Sequence, residues 1–190
     1  MRIGIFGGSF DPVHLGHLIL AERCRDQVQL DRVLFIPAPR PPHKRQGTQA
    51  EFADRLAMLR LAVADNPEFV IDTCEQDRSG LSYTVDTLRY LQQRDVGHEW
   101  HMILGGDSVR DLETWRDPMG IAKLTSLLVV QRPGAVVDSP PPYFKYQTVD
   151  SPLVEISSTM IRNMCATGQS IRYLVPEAVR NYLHSKQLYR

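Results

Sequence analysis

Short apolar runs recur along this chain, and most are followed by a longer segment whose apolar positions fall at helical spacing. Arg2 to Phe6 reads as a strand ending at Gly7-Gly8, and about Leu15 to Val28 as the helix after it. Val33 to Ile36 is a second strand, stopped by Pro37 because proline cannot complete a central ladder. Phe52, Leu56, Leu59 and Val63 share one face of a helix over residues 51–64. Phe69–Ile71, Met102–Leu104 and Leu127–Val130 read as further strands, with a helix over Tyr83–Gln93. Val154–Ile156 is expected to be a sixth, weaker strand, followed by helices from about Ser158 to Ala166 and from Pro176 to His184. Near-continuous apolar strands alternating with helices need cover on both faces, which predicts a mostly parallel, doubly wound α/β sheet. A ligand of such a sheet lies at the carboxyl ends of its strands.

At 190 residues the chain is expected to form a single domain over 1–190, with the helical part from about 157 onward packed against the sheet. The proline-rich stretch from Pro133 to Tyr146 is expected to be a surface loop. Lys plus Arg number 22 and so do Asp plus Glu, so the global field predicts neither a nucleic acid nor a membrane partner. Ile3–Phe6 is too short for a signal-peptide core, and no run approaches the roughly 18 apolar residues of a membrane span. Cys24, Cys74 and Cys165 are odd in number and widely separated, which suits packing roles in a reducing, cytoplasmic compartment. A homo-oligomer is left open, with the exposed surfaces of the C-terminal helices as candidate contacts.

The most informative segment runs from Gly7 to His17, reading Gly-Gly-Ser-Phe-Asp-Pro-Val-His-Leu-Gly-His. Glycines after a strand permit a tight turn and close backbone approach, where N–H groups can receive phosphate oxygens. The spacing is neither the dinucleotide fingerprint nor the P-loop. Asp11-Pro12 suits either a helix cap or a loop delivering the chain to a later start. His14 and His17, three residues apart at a helix start, lie on one face, and Gly16 between them leaves room for a bulky group. No carboxylate or cysteine nearby completes a metal set, so none is expected. Two imidazoles beside a helix N-terminus suit phosphates that gain charge in transfer, which predicts phosphoryl or nucleotidyl transfer by positioning.

A second set of cations follows strand two, where Pro39 to Arg45 forms a proline-stiffened loop carrying Arg40, His43, Lys44 and Arg45. It reads as a solvated turn or as a cationic wall facing a polyphosphate, in which a lysine acts as a mobile point charge. Ser157 and Ser158 precede a helix with Arg162 one turn in, an arrangement that serves as a helix cap or as an anion site. Further candidates lie between these motifs. Ser82 to Thr87 opens a helix; Gly105 and Gly106 end a buried strand, with Asp107 able to accept hydrogen bonds from ribose hydroxyls; Trp115 and Arg132 stand near later strand ends.

The Gly7–His17 stretch resembles the signature of the nucleotidyltransferase superfamily, built on histidine, any residue, glycine, histidine. Class I aminoacyl-tRNA synthetases share a related motif but carry a lysine-rich second signature and large tRNA-binding regions, which this chain lacks. His43-Lys44 after two prolines, Ser82–Thr87, Gly105–Asp107 and Ile156–Arg162 are similar to segments of bacterial nicotinate mononucleotide adenylyltransferases; Gly106 departs from that family's glycine, alanine, aspartate pattern. The resemblance implies a Rossmann-like fold and adenylyl transfer from ATP to nicotinate mononucleotide, with magnesium entering alongside ATP. It implies catalytic roles for His14, His17, Lys44 and Arg162. ATP would contact Gly7, Gly8, Ser9, Phe10, His14, His17, Gly105, Asp107, Ser158 and Arg162. The nicotinate nucleotide would contact Ser9, Lys44, Tyr83, Thr84, Trp115 and Arg132, its carboxylate at the Tyr-Thr segment and its ring on the tryptophan. Pantetheine phosphate or the amide mononucleotide as acceptor, or a nucleotide-binding module without catalysis, are the alternatives.

Overall fold

The computed structural model describes residues 1–41, 47–78, 80–131 and 139–190, with the Asp107 side chain outside that set. Six strands, β1 (Arg2–Gly8), β2 (Arg32–Pro37), β3 (Phe69–Ile71), β4 (Glu99–Gly105), β5 (Ser126–Gln131) and β6 (Tyr146–Asp150), form one sheet in the order β3-β2-β1-β4-β5-β6. Each neighbouring pair is parallel. Helices α1 (Leu15–Val28), α2 (Phe52–Val63), α3 (Thr84–Arg94), α4 (Gly106–Arg110), α5 (Pro118–Leu124), α6 (Ser158–Ala166) and α7 (Glu177–Lys186) cover it. The order reverses between β1 and β4, which opens a crevice beyond their carboxyl ends where ligands of doubly wound sheets bind.

Alternation along each central strand feeds two cores. Val33, Phe35, Ile103, Leu128 and Val130 point to one face, where they meet Ala21 and Cys24 of α1, Met58 and Leu59 of α2, Ile161 of α6, and Val179 and Leu183 of α7. Leu34, Ile36, Met102, Leu104, Leu127 and Val129 point to the other, against Val85, Leu88 and Leu91 of α3 and Ile121 of α5. Burial on both faces is why these strands read as unbroken apolar runs. Residues 157–190 lie on the first face; their Tyr182 hydroxyl donates to Asp54 Oδ1 of α2 at 2.8 Å.

The sixth strand corrects the sequence reading. Val154–Ile156 is not a strand; the chain pairs instead through Tyr146–Asp150, whose only buried residue is Val149. An edge strand with one buried side chain has too little apolar signal to stand out, whereas the Val154–Ile156 segment lines a cleft. The residues before it are not all loop surface either, since Phe144 is buried in the second core. Cys24 is buried, and Cys74 and Cys165 are half-buried free thiols. Among the described residues no helix is long and apolar enough to cross a membrane.

Candidate active site

Two clefts open at the reversal point, and Phe6 and Gly105 line both. The first, about 210 Å³, runs over the second core between Gly7–Ser9, Ile36, Glu75, Ser82, Thr84, Gly105, Ser108 and Trp115. The second, about 340 Å³, lies on the other side of β1 and β4 and is lined by His14, Gly16, His17, Gly105, Gly106, Ser151, Ile156, Ser157 and Ser158. Their shared edge is a place where two ligands can come together.

His14 is the N-cap of α1, in extended backbone, and its N–H donates to His17 Nδ1 at 3.2 Å. Because Nδ1 accepts, the neutral His17 ring carries its proton on Nε2, which makes Nε2–H its donor. The two rings stack at 3.7 Å between centroids. Burial lowers the His14 pKa to about 4, so this ring is neutral near pH 7. Its Nδ1 is buried without a hydrogen-bond partner among the described residues. The His14 ring packs closely on Gly16, where a Cβ would stand 3.0 Å from His14 Nδ1.

Phe10 is 1% exposed, and its ring packs on Phe6, Phe35 and His17, so it holds the histidine from behind. Its backbone sits at φ 46, a left-handed conformation rare for a bulky residue, and Gly8 lets the ring fold back, since a Cβ there would lie 3.1 Å from it. Backbone distortion of this kind concentrates at functional sites.

α6 faces the same loop. Ser157 caps it by accepting from Met160 N–H at 3.1 Å, while Ser158 Oγ donates to the Pro12 carbonyl at 2.9 Å. Arg162 donates to the Asp11 carbonyl at 2.8 Å and to Thr159 Oγ1 at 3.2 Å; it is held on the loop behind His14 and does not line the second cleft.

In the first cleft Thr84 stands at the N-terminus of α3, near Trp115. Tyr83 does not line it; its ring is covered by the Arg116 guanidinium, 4.7 Å from the centroid. Gly105 closes β4 and Asp107 lies in the first turn of α4. Lys44 and Arg132 lie outside the described residues.

Three polar residues escaped the sequence reading. Arg55, fully buried on α2, donates to the carbonyls of Ser9 at 2.5 Å, Ala38 at 2.9 Å, Pro39 at 3.3 Å and Ala50 at 3.3 Å, and so ties the loops after β1 and β2 together. Asp11 belongs to a loop that delivers the chain to a later helix start, one of the two readings given for Asp11-Pro12, and its carboxylate is a buried acceptor. Glu75 lines the first cleft, receives the Thr87 hydroxyl at 2.5 Å, and has its pKa raised by burial. An arginine three residues after Phe52 on the apolar face of α2 was the available signal for Arg55; nothing local marks the other two.

The cytidylyltransferase-like family model matches residues 5–164. A protein of Citrifermentans bemidjiense named "Probable nicotinate-nucleotide adenylyltransferase" is 42% identical, over 100% of this chain and 98% of its own length. Proteins of the same name from Geobacillus thermodenitrificans and Salinibacter ruber are each 44% identical, covering 99% and 100% of this chain and 86% and 98% of their own. The fold matches that of the Plasmodium falciparum nicotinic acid mononucleotide adenylyltransferase complexed with NaAD, with TM-score 0.85 at 19% identity over 99% of this chain and 97% of that one. The chain therefore belongs to the cytidylyltransferase-like family and, within it, groups with the nicotinate-nucleotide adenylyltransferases.

Proposed function

We propose that this chain transfers the adenylyl group of ATP to nicotinate mononucleotide, giving nicotinate adenine dinucleotide and pyrophosphate. The carrying observation is the pair of clefts sharing Phe6 and Gly105, with the stacked histidines and the N-terminus of α1 in the second and Thr84 with Trp115 in the first. ATP is assigned to the second cleft and the nicotinate nucleotide to the first. The acceptor phosphate is already an anionic nucleophile, so no general base is needed. It attacks the α-phosphorus in line, the bond to the β-phosphate oxygen breaks, and pyrophosphate departs with that electron pair. His17 Nε2–H and the amides of α1 are placed to stabilise charge on the reacting phosphate; Ser158 and Arg162 support the ATP side, with Lys44 proposed near the phosphates. The N–H groups opening α3 and the Thr84 hydroxyl are the proposed receptor for the pyridine carboxylate, and Trp115 the surface for its ring.

Magnesium is proposed to arrive with the triphosphate and be held by it and by water. Among the described residues no group of three or more His, Cys, Asp or Glu side chains gathers. We read 1–190 as one catalytic domain acting in the cytoplasm. The test is pyrophosphate release from ATP and magnesium. Release that requires nicotinate mononucleotide supports the assignment, and saturable ATP binding without release for any acceptor would make the chain a binding module.

A further inference from the structure

Asp11 is 1% exposed, and its carboxylate receives three hydrogen bonds: from the N–H groups of Gln49 at 2.9 Å and Ala50 at 3.1 Å, and from the Tyr189 hydroxyl at 2.7 Å. The same residue's carbonyl receives Arg162 Nη1, which also stands 4.0 Å from the carboxylate, and the next carbonyl, Pro12, receives Ser158. The peptide leading into His14 thus carries the two α6 side chains assigned to ATP, and its one carboxylate is oriented by a tyrosine beyond α7.

Tyr189 reaches this loop by an unusual path. α7 ends at Gln187 in the left-handed region, and Tyr189 itself sits at φ 62, a conformation that tyrosine seldom adopts. Leu188 and Tyr189 both pack against the first core, which holds the distortion in place. Burial, with the hydrogen bond to Asp11, raises the tyrosine pKa, so the hydroxyl is a fixed donor.

We propose that Tyr189 is a positioning residue for adenylyl transfer, setting the Asp11–Pro12 peptide and, through it, Arg162 and Ser158. The inference rests on the ATP-side reading of the second cleft.

The test compares Tyr189→Phe with Tyr182→Phe. Each deletes one hydroxyl bonded to a carboxylate on the same face, but the Tyr182 bond joins α7 to α2 and does not touch Asp11. Tyr189→Phe is expected to lower kcat/KM for ATP by about tenfold and to weaken ATP binding in titration calorimetry, with KM for nicotinate mononucleotide within about twofold. Tyr182→Phe should leave these constants near wild type. Equal behaviour of the two variants would overturn the proposal, as would a Tyr189→Phe chain that fails to fold while Tyr182→Phe folds, which would assign the residue to stability. Calorimetry needs no acceptor, so it still decides the matter if wild type does not use nicotinate mononucleotide, a result that speaks against the proposed reaction alone.

Discussion

The His14 imidazole lies nearly parallel on that of His17, 29° between planes, while its backbone N–H donates to His17 Nδ1. One residue thereby fixes both the tautomer and the position of the other. Phe6 and Phe10, with ring centroids 5.9 and 5.2 Å from His17, hold the opposite side. The ring is thereby held in one orientation, so the proposed donor to the reacting phosphate would not have to reorient as charge develops.

Removing that donor should separate catalysis from folding. His17→Ala is expected to lower kcat by about 10²-fold or more, while its melting temperature, followed by circular dichroism, falls by only a few degrees. Near-normal turnover in the folded variant would contradict the role.

Gly16 offers a test by addition. Alanine suits a helix better than glycine by about 1 kcal/mol, yet its Cβ would press on the His14 ring at 3.0–3.1 Å. Gly16→Ala should therefore keep or raise stability in denaturant melts and reduce kcat by about tenfold as the ring pair shifts.

The buried His14 ring has a consequence for acid stability. Its pKa falls from 6.5 to about 4 on folding. Between these values the unfolded chain holds a proton on this ring that the folded chain does not, so stability falls as pH drops from 6.5 to about 4, by about 3 kcal/mol in all. His14→Gln removes the effect. Urea melts across that window should show a shallower pH slope for the variant than for wild type, and equal slopes would count against a buried neutral ring.

Arg55 supports the site without touching it. Arg55→Met would leave the carbonyls of Ser9, Ala38, Pro39 and Ala50 without their buried donor. The expected loss is on the order of 3 kcal/mol in urea unfolding; a loss under about 1 kcal/mol would mean that water replaces the guanidinium.

What was readable in the sequence follows from how local each signal is. Gly7-Gly8 after an apolar run and two histidines at helical spacing announce themselves within a dozen residues, as do the central strands, because burial on both faces removes polar positions. Edge strand β6 shows almost nothing apolar beyond Val149 and was displaced in the reading to Val154–Ile156. Phe10 stands in a glycine-rich loop, and the left-handed backbone that turns its ring inward has no local sequence signal. The bonds from Tyr189 and Arg162 to Asp11 span 178 and 151 positions, and no periodicity or cap rule links residues so far apart.

In the proposed reaction nicotinate mononucleotide meets ATP at the shared edge of the two clefts. One reaction mixture containing ATP, magnesium and equal amounts of nicotinate mononucleotide, nicotinamide mononucleotide and pantetheine phosphate, resolved by chromatography and mass, tests it directly. Nicotinate adenine dinucleotide is expected as the dominant product, with pyrophosphate in equal amount; predominance of either other adenylylated product, or none at all, would overturn the proposed reaction.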